Sequence, residues 1–552
     1  MERPWTKHYS PTVPEDISFG DISSISDYVG RTFRNFDRLT AVSCMGASMT
    51  YGELSRAVNR FAAFLQNKIG IQKGDRIAIM LPNILQFPVA ELAALKIGAV
   101  CVNTNPMYTP REMRHQFNDS GVKAIVIVDL FADKLEQIIS ETQIEHVIIT
   151  SIGDQLPFWK GAILDKVMRF KKQIPKCSLK FWRFKSALSA CDPSSLKPVD
   201  LGLDDLAVLQ YTGGTTGVSK GAMLTHKNIL ANMLQIQAIT SGPLQQGSET
   251  VLTALPLYHI FALSVNFLAF LADGQHIVLV PKPVPIINTV KLFRSFKITA
   301  MTGVNTLFNS LNNSNDFKEL APRTLKVVVA GGMALQDSVN KTFQSITGTP
   351  ITEGFGLTEA SPVTHVNPIG GNNPVGSIGL PLPSTYAKIV GEDGTSLPPG
   401  EVGELVIKGP QVMKGYWKKD DETARVLRDG WLWTGDIARM DERGYFFIVD
   451  RKKDMILVSG FNVYPNEVEE VLACHPMVLE AAVIGIPDKS SGEAVKAFVV
   501  PKDKNLTVEV LRAYCKENLT GYKCPRQFEF RDSLPKSSVG KILRRELRDG
   551  KL

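Results

Sequence analysis

The amino-acid sequence predicts an α/β protein with a large N-terminal domain and a small C-terminal domain. Strand-like apolar runs alternate with amphipathic helical patterns up to about Pro374, which indicates layered α/β subdomains. Beyond Pro374, short strands with Gly and Pro turns predict a small β subdomain. After a charge cluster at 450–454 the alternation resumes, which predicts a small α+β domain. The 552 residues exceed what one hydrophobic core usually organises, so we expect at least two domains.

The predicted N-terminal elements alternate along the chain. Amphipathic patterns predict helices at 51–68 and 87–97, and a third helix is predicted at 223–237. Continuous apolar runs predict buried strands at 76–81, 124–128, 146–150, 206–210, 276–280 and 325–330. This order is typical of parallel sheets that are covered by helices.

The main domain boundary is predicted after residue 450, which gives domains 1–450 and 451–552. Strands at 386–390 and 403–407 belong to the β subdomain that precedes the boundary. The elements predicted beyond it are helices at 463–475 and 507–519 and strands at 478–486, 494–500 and 527–530. Together they predict a small α+β domain that covers the end of the larger one.

Composition narrows the class of protein. With 44% hydrophobic and 21% charged residues the chain is an ordinary globular protein, and the net charge of +7 does not imply a nucleic-acid partner. Seven scattered cysteines without a Cys-x-x-Cys pair favour a reducing compartment and argue against a zinc site. No apolar signal segment lies in residues 1–14, and the longest apolar stretch, 260–272, is too short to span a bilayer. We expect a cytoplasmic protein, and a homodimer is left open.

The most informative stretch is 211–222, with the sequence YTGGTTGVSKGA. Glycine lets a backbone approach an anion closely, hydroxyl groups donate hydrogen bonds, and Lys220 adds a positive charge. The other residues suited to such a loop are Thr212, Gly213, Gly214, Thr215, Thr216, Gly217 and Ser219. Because a strand is predicted before it and a helix after it, the stretch predicts a polyphosphate-binding loop.

This loop has two other interpretations. The Walker pattern fails, because Lys220 is preceded by Ser219 and followed by Gly221. Residues 217–221 do match the Gly-x-Ser-x-Gly elbow of α/β hydrolases, but so short a pattern often occurs by chance. A longer Gly- and Thr-rich context favours Ser219 as a neighbour of phosphate rather than a nucleophile.

The stretch resembles the signature phosphate loop of the adenylate-forming enzymes, which include acyl-CoA synthetases, firefly luciferase and peptide-synthetase adenylation domains. Further motifs of this superfamily follow in order over nearly the whole chain, and the resemblance is greatest to bacterial long-chain fatty-acid–CoA ligases. It implies that a fatty acid and Mg·ATP form an acyl-adenylate and pyrophosphate. Coenzyme A then displaces AMP to give the thioester.

The resemblance also implies the residues that hold the nucleotide. In the motif at 354–359 (GFGLTE), it puts Phe355 beside the adenine, Thr358 at a phosphate oxygen and Glu359 at Mg²⁺. A carboxylate oxygen suits Mg²⁺, and Thr216 is the second candidate ligand; a helix N-cap is the alternative role for Thr358. The glycines implied beside the nucleotide, besides those of the loop, are Gly332, Gly354 and Gly356.

Three further motifs complete the implied site. Asp436, in WTGD, and Arg451 resemble the partners of the ribose hydroxyls. His259, in LPLYHIF, is implied between the acyl and coenzyme A paths. Lys541, in PKSSVGK, is implied to bridge the carboxylate and the α-phosphate, where a cation stabilises shared negative charge.

In the family the C-terminal domain is a small mobile lid that rotates between the two half-reactions. The residue that matches the hinge is Lys453. The residues that match the coenzyme A path are Ser459, Gly460, Phe461 and Asn462.

One segment, 158–185, differs from the rest in carrying nine basic residues, one acid and six aromatic residues. Ile163, Val167 and Phe170 fall on one face of its predicted helix. Such a segment can lie on an anionic membrane, here the inner face of the cell membrane, or its aromatic residues can pack back onto the domain. The sequence leaves both alternatives open.

Alternatives to a long-chain ligase are a fatty acyl-AMP ligase that serves a carrier protein and a shorter-chain or aryl acyl-CoA ligase. Outside the superfamily, the alternatives are a nucleotide sensor without turnover and a hydrolase that uses Ser219. Intact Lys541, Glu359 and Asp436 argue against the sensor.

Overall fold

The computed structural model describes residues 3–212, 219–459, 461–488, 491–503, 505–537 and 540–550. The strands within these ranges form a seven-stranded sheet, a nine-stranded sheet and two five-stranded sheets. A large α/β portion with a β subdomain is followed by a small α+β portion, so the predicted fold class is confirmed. None of the helices in the described ranges is long and apolar enough to cross a bilayer.

The α-helices of the described ranges are mostly short, and several begin at capping boxes that are visible in the sequence. At α2 (Tyr51–Ala63), the Thr50 hydroxyl oxygen accepts from the N–H of Glu53, and the Glu53 carboxylate accepts from the N–H of Thr50. In chain order the helices are α1 (Ile25–Asn35), α2 (Tyr51–Ala63), α3 (Gln86–Lys96), α4 (Pro110–Ser120), α5 (Ala132–Glu136), α6 (Phe158–Phe170), α7 (Phe184–Ala187), α8 (His226–Thr240), α9 (Phe270–Ala272), α10 (Ile287–Ser295), α11 (Asn305–Asn312), α12 (Asn315–Leu320), α13 (Asp337–Thr347), α14 (Asp420–Val426), α15 (Pro465–Ala473), α16 (Val508–Asn518) and α17 (Arg544–Arg548).

The seven-stranded sheet follows a first hairpin, β1 (Thr40–Cys44) and β2 (Ala47–Thr50). Its strands are β3 (Arg76–Met80), β4 (Val100–Asn103), β5 (Val122–Val128), β6 (His146–Thr150), β7 (Trp182–Arg183), β8 (Leu206–Thr212) and β9 (Lys220–Thr225). Their order is β7-β6-β5-β3-β4-β8-β9, and the pairs are parallel except for β8 with β9. Four of the six apolar runs predicted as buried strands belong to this sheet: β6, β5 and β3 lie side by side, and β8 follows beyond β4, whereas the runs at 276–280 and 325–330 belong to the nine-stranded sheet.

The prediction of a helix over 223–237 is wrong at the start of the helix. Residues Lys220–Thr225 form β9, which pairs antiparallel with β8, and α8 begins only at His226. Met223 and Leu224 suit a helix or a strand equally, and pairing with β8 selects the strand. Thr225 then caps the helix by accepting from the N–H of Asn228. The glycine-rich loop consequently joins two strands, not a strand and a helix.

The nine-stranded sheet carries the edge at which the candidate site lies. Its further strands are β10 (Thr250–Thr253), β11 (His276–Leu279), β12 (Ala300–Gly303), β13 (Val327–Ala330), β14 (Thr352–Gly356), β15 (Val363–Val366) and β16 (Leu380–Pro381), in the order β16-β15-β14-β13-β12-β10-β11-β1-β2. Because β12, β13 and β14 are parallel, their carboxyl ends meet at one edge. In open α/β sheets ligands bind outside this edge.

The predicted β subdomain is a five-stranded antiparallel sheet of β17 (Tyr386–Val390), β18 (Val402–Lys408), β19 (Leu427–Arg428), β20 (Trp431–Met440) and β21 (Phe446–Arg451). The second five-stranded sheet contains β22 (Ile456–Val458), β23 (Phe461–Val463), β24 (Val478–Asp488), β25 (Gly492–Pro501) and β26 (Gln527–Phe530). The chain passes from one sheet to the other between Arg451 and Ile456. The proposed boundary after residue 450 falls one residue before the end of β21.

The aromatic residues of segment 158–185 divide into two groups. Phe184 is fully buried against Phe61, and Trp182 packs edge-on against Phe64. By contrast, Trp159 is 61% exposed and Phe170 is 88% exposed. On α6, Trp159, Ile163, Val167 and Phe170 form one exposed apolar face, which we call the α6 face. The alternative of packing back onto the domain therefore holds only for the end of the segment.

Candidate functional site

A cavity of about 2630 Å³ lies between the edge of the nine-stranded sheet, the β subdomain and the C-terminal domain. The described residues predicted to bind the nucleotide or to act on it line this cavity, and so does the predicted hinge residue Lys453: the former are Thr212, Lys220, His259, Gly332, Gly354, Phe355, Gly356, Thr358, Glu359, Asp436, Arg451 and Lys541. The predicted Gly213, Gly214, Thr215, Thr216, Gly217 and Gly460 lie outside the described residues. Residues from distant parts of the chain thus meet around one volume.

The two ends of the predicted phosphate loop are held firmly. Thr212 ends β8 and pairs with Lys220, which begins β9. The Lys220 ammonium forms an ion pair of 2.7 Å with Glu422 on α14. Both partners of this ion pair line the cavity.

The hydrolase hypothesis requires Ser219 to act as the nucleophile, but among the described residues the Ser219 hydroxyl contacts the backbone and not a catalytic base. Its hydroxyl donates to the backbone carbonyl of Thr212 at 2.5 Å. The nearby His115 uses Nε2 to contact the carbonyl oxygen of Ser219, at 2.9 Å, and not the hydroxyl. A general base for a serine nucleophile has to reach the hydroxyl proton, so this geometry does not favour hydrolysis.

Thr358 and Glu359 follow β14 in a short 3-10 turn, not at the N-terminus of an α-helix. The Glu359 carboxylate accepts a hydrogen bond of 2.7 Å from the hydroxyl of Tyr416. Burial, and then the negative charge of Glu359, raise the pKa of Tyr416 well above its ordinary value, so the hydroxyl stays protonated and donates. Sequence reasoning missed Tyr416, because no local pattern links it to Glu359.

Backbone approach shapes the part of the cavity assigned to adenine. Gly332 has a φ of +80°, which favours glycine, and a Cβ on Gly356 would lie 2.2 Å from the carbonyl oxygen of Pro362. Phe355 precedes Gly356, and its ring centre lies 6.0 Å from that of His365, edge to face. The glycines and Phe355 line the cavity together, and this combination of backbone and aromatic surface suits a purine.

Asp436 and Arg451 are direct neighbours on the antiparallel strands β20 and β21. Arg451 Nε lies 3.3 Å from Asp436 Oδ1. Burial raises the pKa of Asp436 above its ordinary value, while the charge of Arg451 acts against that shift. The pair offers an acceptor and donors at one wall of the cavity, as binding two vicinal hydroxyl groups requires.

Lys541 reaches the cavity from the C-terminal domain. The preceding Gly540 approaches α11 so closely that a Cβ on it would lie 2.8 Å from Thr306 Oγ1. Burial, together with the positive charge of Arg451, lowers the pKa of Lys541 from 10.5 to about 7. Lys541 is thus removed from bulk water and lies near other cations, while the negative charge of Asp436 acts against the shift in its pKa.

His259 lies in the same cavity. Burial, and then the charge of Lys541, lower the pKa of His259 to about 4, so the ring is neutral at pH 7. Its Nδ1 accepts from the backbone N–H of Phe261 at 3.3 Å, which assigns the ring proton to Nε2. A neutral ring of this kind can orient a substrate by donating a hydrogen bond from Nε2.

The predicted coenzyme A path is not part of this cavity. Of its described residues, Phe461 is 56% exposed and stacks on Tyr522 with ring centres 4.9 Å apart, and Ser459 and Asn462 are exposed. The structure thus brings Lys541 to the cavity and leaves Ser459, Phe461 and Asn462 away from it. The two sets of residues belong to different faces of the C-terminal domain.

The predicted hinge residue, Lys453, lies in the turn between β21 and β22. Its Nζ is buried and has no hydrogen-bond partner within the described ranges. Burial, and the charge of Arg451, lower the pKa of Lys453 to about 8. Neighbouring Asp454 is by contrast paired, at 3.5 Å to Arg544 and at 2.5 Å to Arg548.

The cavity also has an apolar lobe that sequence reasoning did not locate. We give this name to six apolar lining residues that belong to α8, to residues 262–272 and to the adjacent strands β12 and β13: Ile236, Ile239, Val265, Phe270, Met301 and Val329. Apolar side chains that line a cavity suit an alkyl chain. By sequence pattern each of these residues looks like an ordinary core residue, so the sequence alone could not identify any of them as lining a cavity.

Comparison with known proteins identifies the family. The family model described as AMP-binding enzyme matches residues 30–417, and the model of the AMP-binding enzyme C-terminal domain matches residues 467–541. The chain belongs to the AMP-binding enzyme family.

Relatives match over the full length. The chain is 51% identical to a long-chain-fatty-acid–CoA ligase of Escherichia coli O6:H1 (strain CFT073), covering 100% of this chain and 98% of the relative. It is 46% identical, with the same coverage, to a protein of that name from Haemophilus influenzae (strain Rd). Among solved structures, ATP-bound MatB from Rhodopseudomonas palustris matches with a TM-score of 0.83 at 30% identity, covering 95% of this chain and 98% of that one.

Proposed function

We propose that this member of the AMP-binding enzyme family activates a long-chain fatty acid with ATP and transfers the acyl group to coenzyme A, releasing AMP and pyrophosphate. The carrying observation is that Lys541, the Asp436–Arg451 pair and Glu359 face one cavity that also has an apolar lobe. Relatives 46% and 51% identical over the whole chain bear the name long-chain-fatty-acid–CoA ligase, which supports the chain-length class.

In the first half-reaction the protein positions its substrates and balances their charge. Phe355 and Gly332 flank the adenine, and Asp436 accepts hydrogen bonds from the ribose hydroxyls with Arg451 beside it. Lys220 and Thr358 contact the phosphates. Lys541 lies between the fatty-acid carboxylate and the α-phosphate, where it stabilises the negative charge that both groups share during attack.

The lowered pKa of Lys541 fits this role. In the protein alone, burial disfavours the ammonium form and brings the pKa to about 7. Two nearby anions favour that form, so binding of ATP and carboxylate restores the positive charge. His259, neutral at pH 7, orients the acyl group by donating a hydrogen bond and does not act as a general base.

The residues present fit Mg²⁺ bound together with ATP. The described residues contain no group of three or more His, Cys, Asp or Glu side chains able to cage a metal. Mg²⁺ commonly takes one or two carboxylates, with phosphate oxygens and water as its other ligands. Glu359, with one oxygen held by Tyr416, would bind it, and the loop residue Thr216 is the second candidate. Bound there, Mg²⁺ would neutralise phosphate charge.

The second half-reaction needs a different arrangement of the C-terminal domain. Lys541 lines the cavity, and in this proposal it occupies the face that a path for the coenzyme A thiol would need. Rotation about Lys453 would withdraw Lys541 and bring Ser459, Gly460, Phe461 and Asn462 to the cavity as the coenzyme A path. One chain supplies every residue used in both steps, so a homodimer is not required for this chemistry.

The test is AMP formation from ATP with palmitate, octanoate or acetate, each with and without coenzyme A. We expect CoA-dependent turnover that is fastest with palmitate. Adenylate that accumulates regardless of coenzyme A would indicate a carrier-protein ligase, and preference for a shorter or aryl acid would indicate that class of ligase. AMP formation with none of the acids would reopen the sensor and hydrolase hypotheses.

Peripheral contact with an anionic membrane is the second part of the proposal. The α6 face presents Trp159, Ile163, Val167 and Phe170 to solvent. Around it the segment 158–185 carries nine basic residues and one acid, which complements an anionic lipid surface. A fatty acid that partitions into lipid would reach an enzyme bound to the inner face of the cell membrane directly.

A further inference from the structure

The segment 413–417, which we call the bridging segment, joins two parts of the site that are far apart in sequence. The N–H of Met413 donates to the carbonyl of Glu359 at 2.8 Å. Further along, Tyr416 pairs with Ala222 of β9 in an antiparallel bridge, flanked by the bonds Met223 N–H to Gly415 O and Trp417 N–H to Gly221 O, both 2.8 Å. The segment thus connects the backbone of the phosphate-loop strand to that of Glu359.

The side chain of Tyr416 repeats this connection. Its hydroxyl donates to Glu359 Oε1 at 2.7 Å. The ammonium of Lys220 lies over its ring, 4.9 Å from the ring centre, as in a cation–π contact. Tyr416 is buried, and its backbone N–H is itself held by Thr423 Oγ1 at 2.8 Å. One rigid side chain therefore contacts both charged groups assigned to the triphosphate.

Glu422 holds the other side of Lys220. Its Oε2 lies 2.7 Å from Lys220 Nζ, and its Oε1 accepts from Arg425 at 2.9 Å. Both Glu422 and Arg425 line the cavity. A triphosphate that binds to Lys220 brings several negative charges close to the Glu422 carboxylate, and these like charges repel each other. Lys220 therefore cannot form a close ion pair with the Glu422 carboxylate and with the triphosphate at the same time.

We propose that Tyr416 and Glu422 are positioning residues of the triphosphate site. Tyr416 fixes the positions of Glu359 and Lys220 relative to each other, and Glu422 is the counter-anion that the triphosphate displaces from Lys220. This inference rests on the proposed function, since it assumes that ATP binds in the cavity. Neither residue contacts the reacting atoms. Each acts through a charged neighbour, Glu359 in one case and Lys220 in the other.

The first test uses Tyr416→Phe, which keeps the ring over Lys220 and removes the hydroxyl from Glu359. ATP affinity is measured by calorimetry, without fatty acid, in Mg²⁺ and in EDTA. We expect the gain in affinity that Mg²⁺ confers to fall roughly tenfold, as loss of a hydrogen bond to a charged group would give. Affinity in EDTA should change little. Equal losses in both solutions would mean a merely structural role and would overturn the role of Tyr416.

The second test uses Glu422→Gln, which keeps the shape and removes the charge. Because Lys220 is then free of its counter-anion, ATP should bind about two- to fivefold more tightly, the range expected for a partly exposed ion pair. The conservative Glu422→Asp should restore the affinity of the unchanged protein. Unchanged or weaker ATP binding in Glu422→Gln would overturn the role of Glu422, and this variant does not depend on whether Tyr416→Phe folds.

The two tests also separate this inference from the proposed function. If the unchanged protein binds no ATP by calorimetry, the proposed function fails, and the inference fails with it. If the unchanged protein binds ATP and forms AMP, yet both variants bind ATP as it does, only the inference fails. Asp421→Asn, which removes a negative charge from the same helix as Glu422 at an exposed position that does not line the cavity, is the matched control for altered charge.

Discussion

At the scale of single residues, Lys541 carries the most specific consequence. It faces the cavity from the C-terminal domain, and the arrangement that places it there leaves the predicted coenzyme A path outside. We expect Lys541→Ala to slow acyl-adenylate formation roughly 10²–10³-fold, as loss of a group that stabilises transition-state charge does. Thioester formation from supplied acyl-adenylate should be largely retained. Rates of the two half-reactions, measured separately, check this.

Lys536→Ala is the matched control, because Lys536 lies in the same segment but pairs with Glu480 at 2.5 Å. It should change neither half-reaction substantially. Equal loss of both half-reactions in Lys541→Ala would contradict the assignment of Lys541 to the first step alone.

A second residue-scale prediction concerns Glu91, a fully buried carboxyl group on α3. Its Oε1 accepts from Asn103 at 3.3 Å, and burial raises its pKa from 4.5 to about 7. Between these values the folded protein binds more protons than the unfolded chain, so stability falls as pH rises through this window. Glu91→Gln should remove that slope, with a gain over the unchanged protein that grows by about 3 kcal/mol between pH 4.5 and pH 8.

The free energy of unfolding in urea, measured at several pH values for both proteins, checks this expectation. Glu319→Gln, at an exposed position, is the control and should leave the slope as it is. A constant difference between Glu91→Gln and the unchanged protein at all pH values would show that Glu91 does not titrate in this window.

At the scale of elements, α8 forms one wall of the apolar lobe. Ile239→Phe adds bulk to that wall, and forcing a long chain past it should cost what overpacking of a core costs, roughly a tenfold or greater loss of rate with palmitate. Octanoate should be used nearly as before, because it does not extend as far. Turnover with both acids is the measurement. Leu234→Phe, on the same helix but not on the cavity wall, is the control.

The exposed helix α6 gives the second prediction at this scale. Reversing the charges of Lys171, Lys172 and Lys176 should weaken binding to anionic vesicles strongly, since each basic residue near such a surface contributes about 1 kcal/mol. Binding to neutral vesicles should not change. Replacing Phe170 by Ser should weaken binding to both. Sedimentation with vesicles measures these effects, and unaltered binding after charge reversal would leave segment 158–185 as part of the fold only.

At the scale of the whole molecule, the proposed motion concentrates in the turn that joins the two five-stranded sheets. The N–H of Lys453 donates no hydrogen bond within the described ranges, so Lys453→Pro removes none there. Proline does fix φ. We expect the second half-reaction to fall at least roughly tenfold more than the first, because only the second needs the rotated domain. Lys453→Ala, which keeps φ free, is the control, and equal losses would move the hinge elsewhere.

Much of the fold was predictable because its signals are local. Six buried strands of the two large sheets, the β subdomain and two helices of the C-terminal domain follow from apolar runs, from period and from turn residues. Short strands such as β4, β10 and β12 were not predicted, and at β9 Met223 and Leu224 suit two structures, so that only pairing with β8 chose between them. Segment 158–185 behaved similarly: its composition was visible, but which aromatic residues face solvent was decided by packing on Phe61 and Phe64.

By itself the sequence determined the fold class and the residue types of the site, since the glycine loop is recognisable by its composition, and Asp436, Arg451 and Lys541 by the resemblance of their motifs to those of the family. Only the tertiary structure decided which of them meet and what completes them. Lys220 and Glu422 are 202 positions apart, and Tyr416 and Glu359 are 57 apart. Local patterns extend over a few residues, whereas such contacts and the apolar lobe depend on how whole sheets and helices pack, because the cavity is the space that packing leaves.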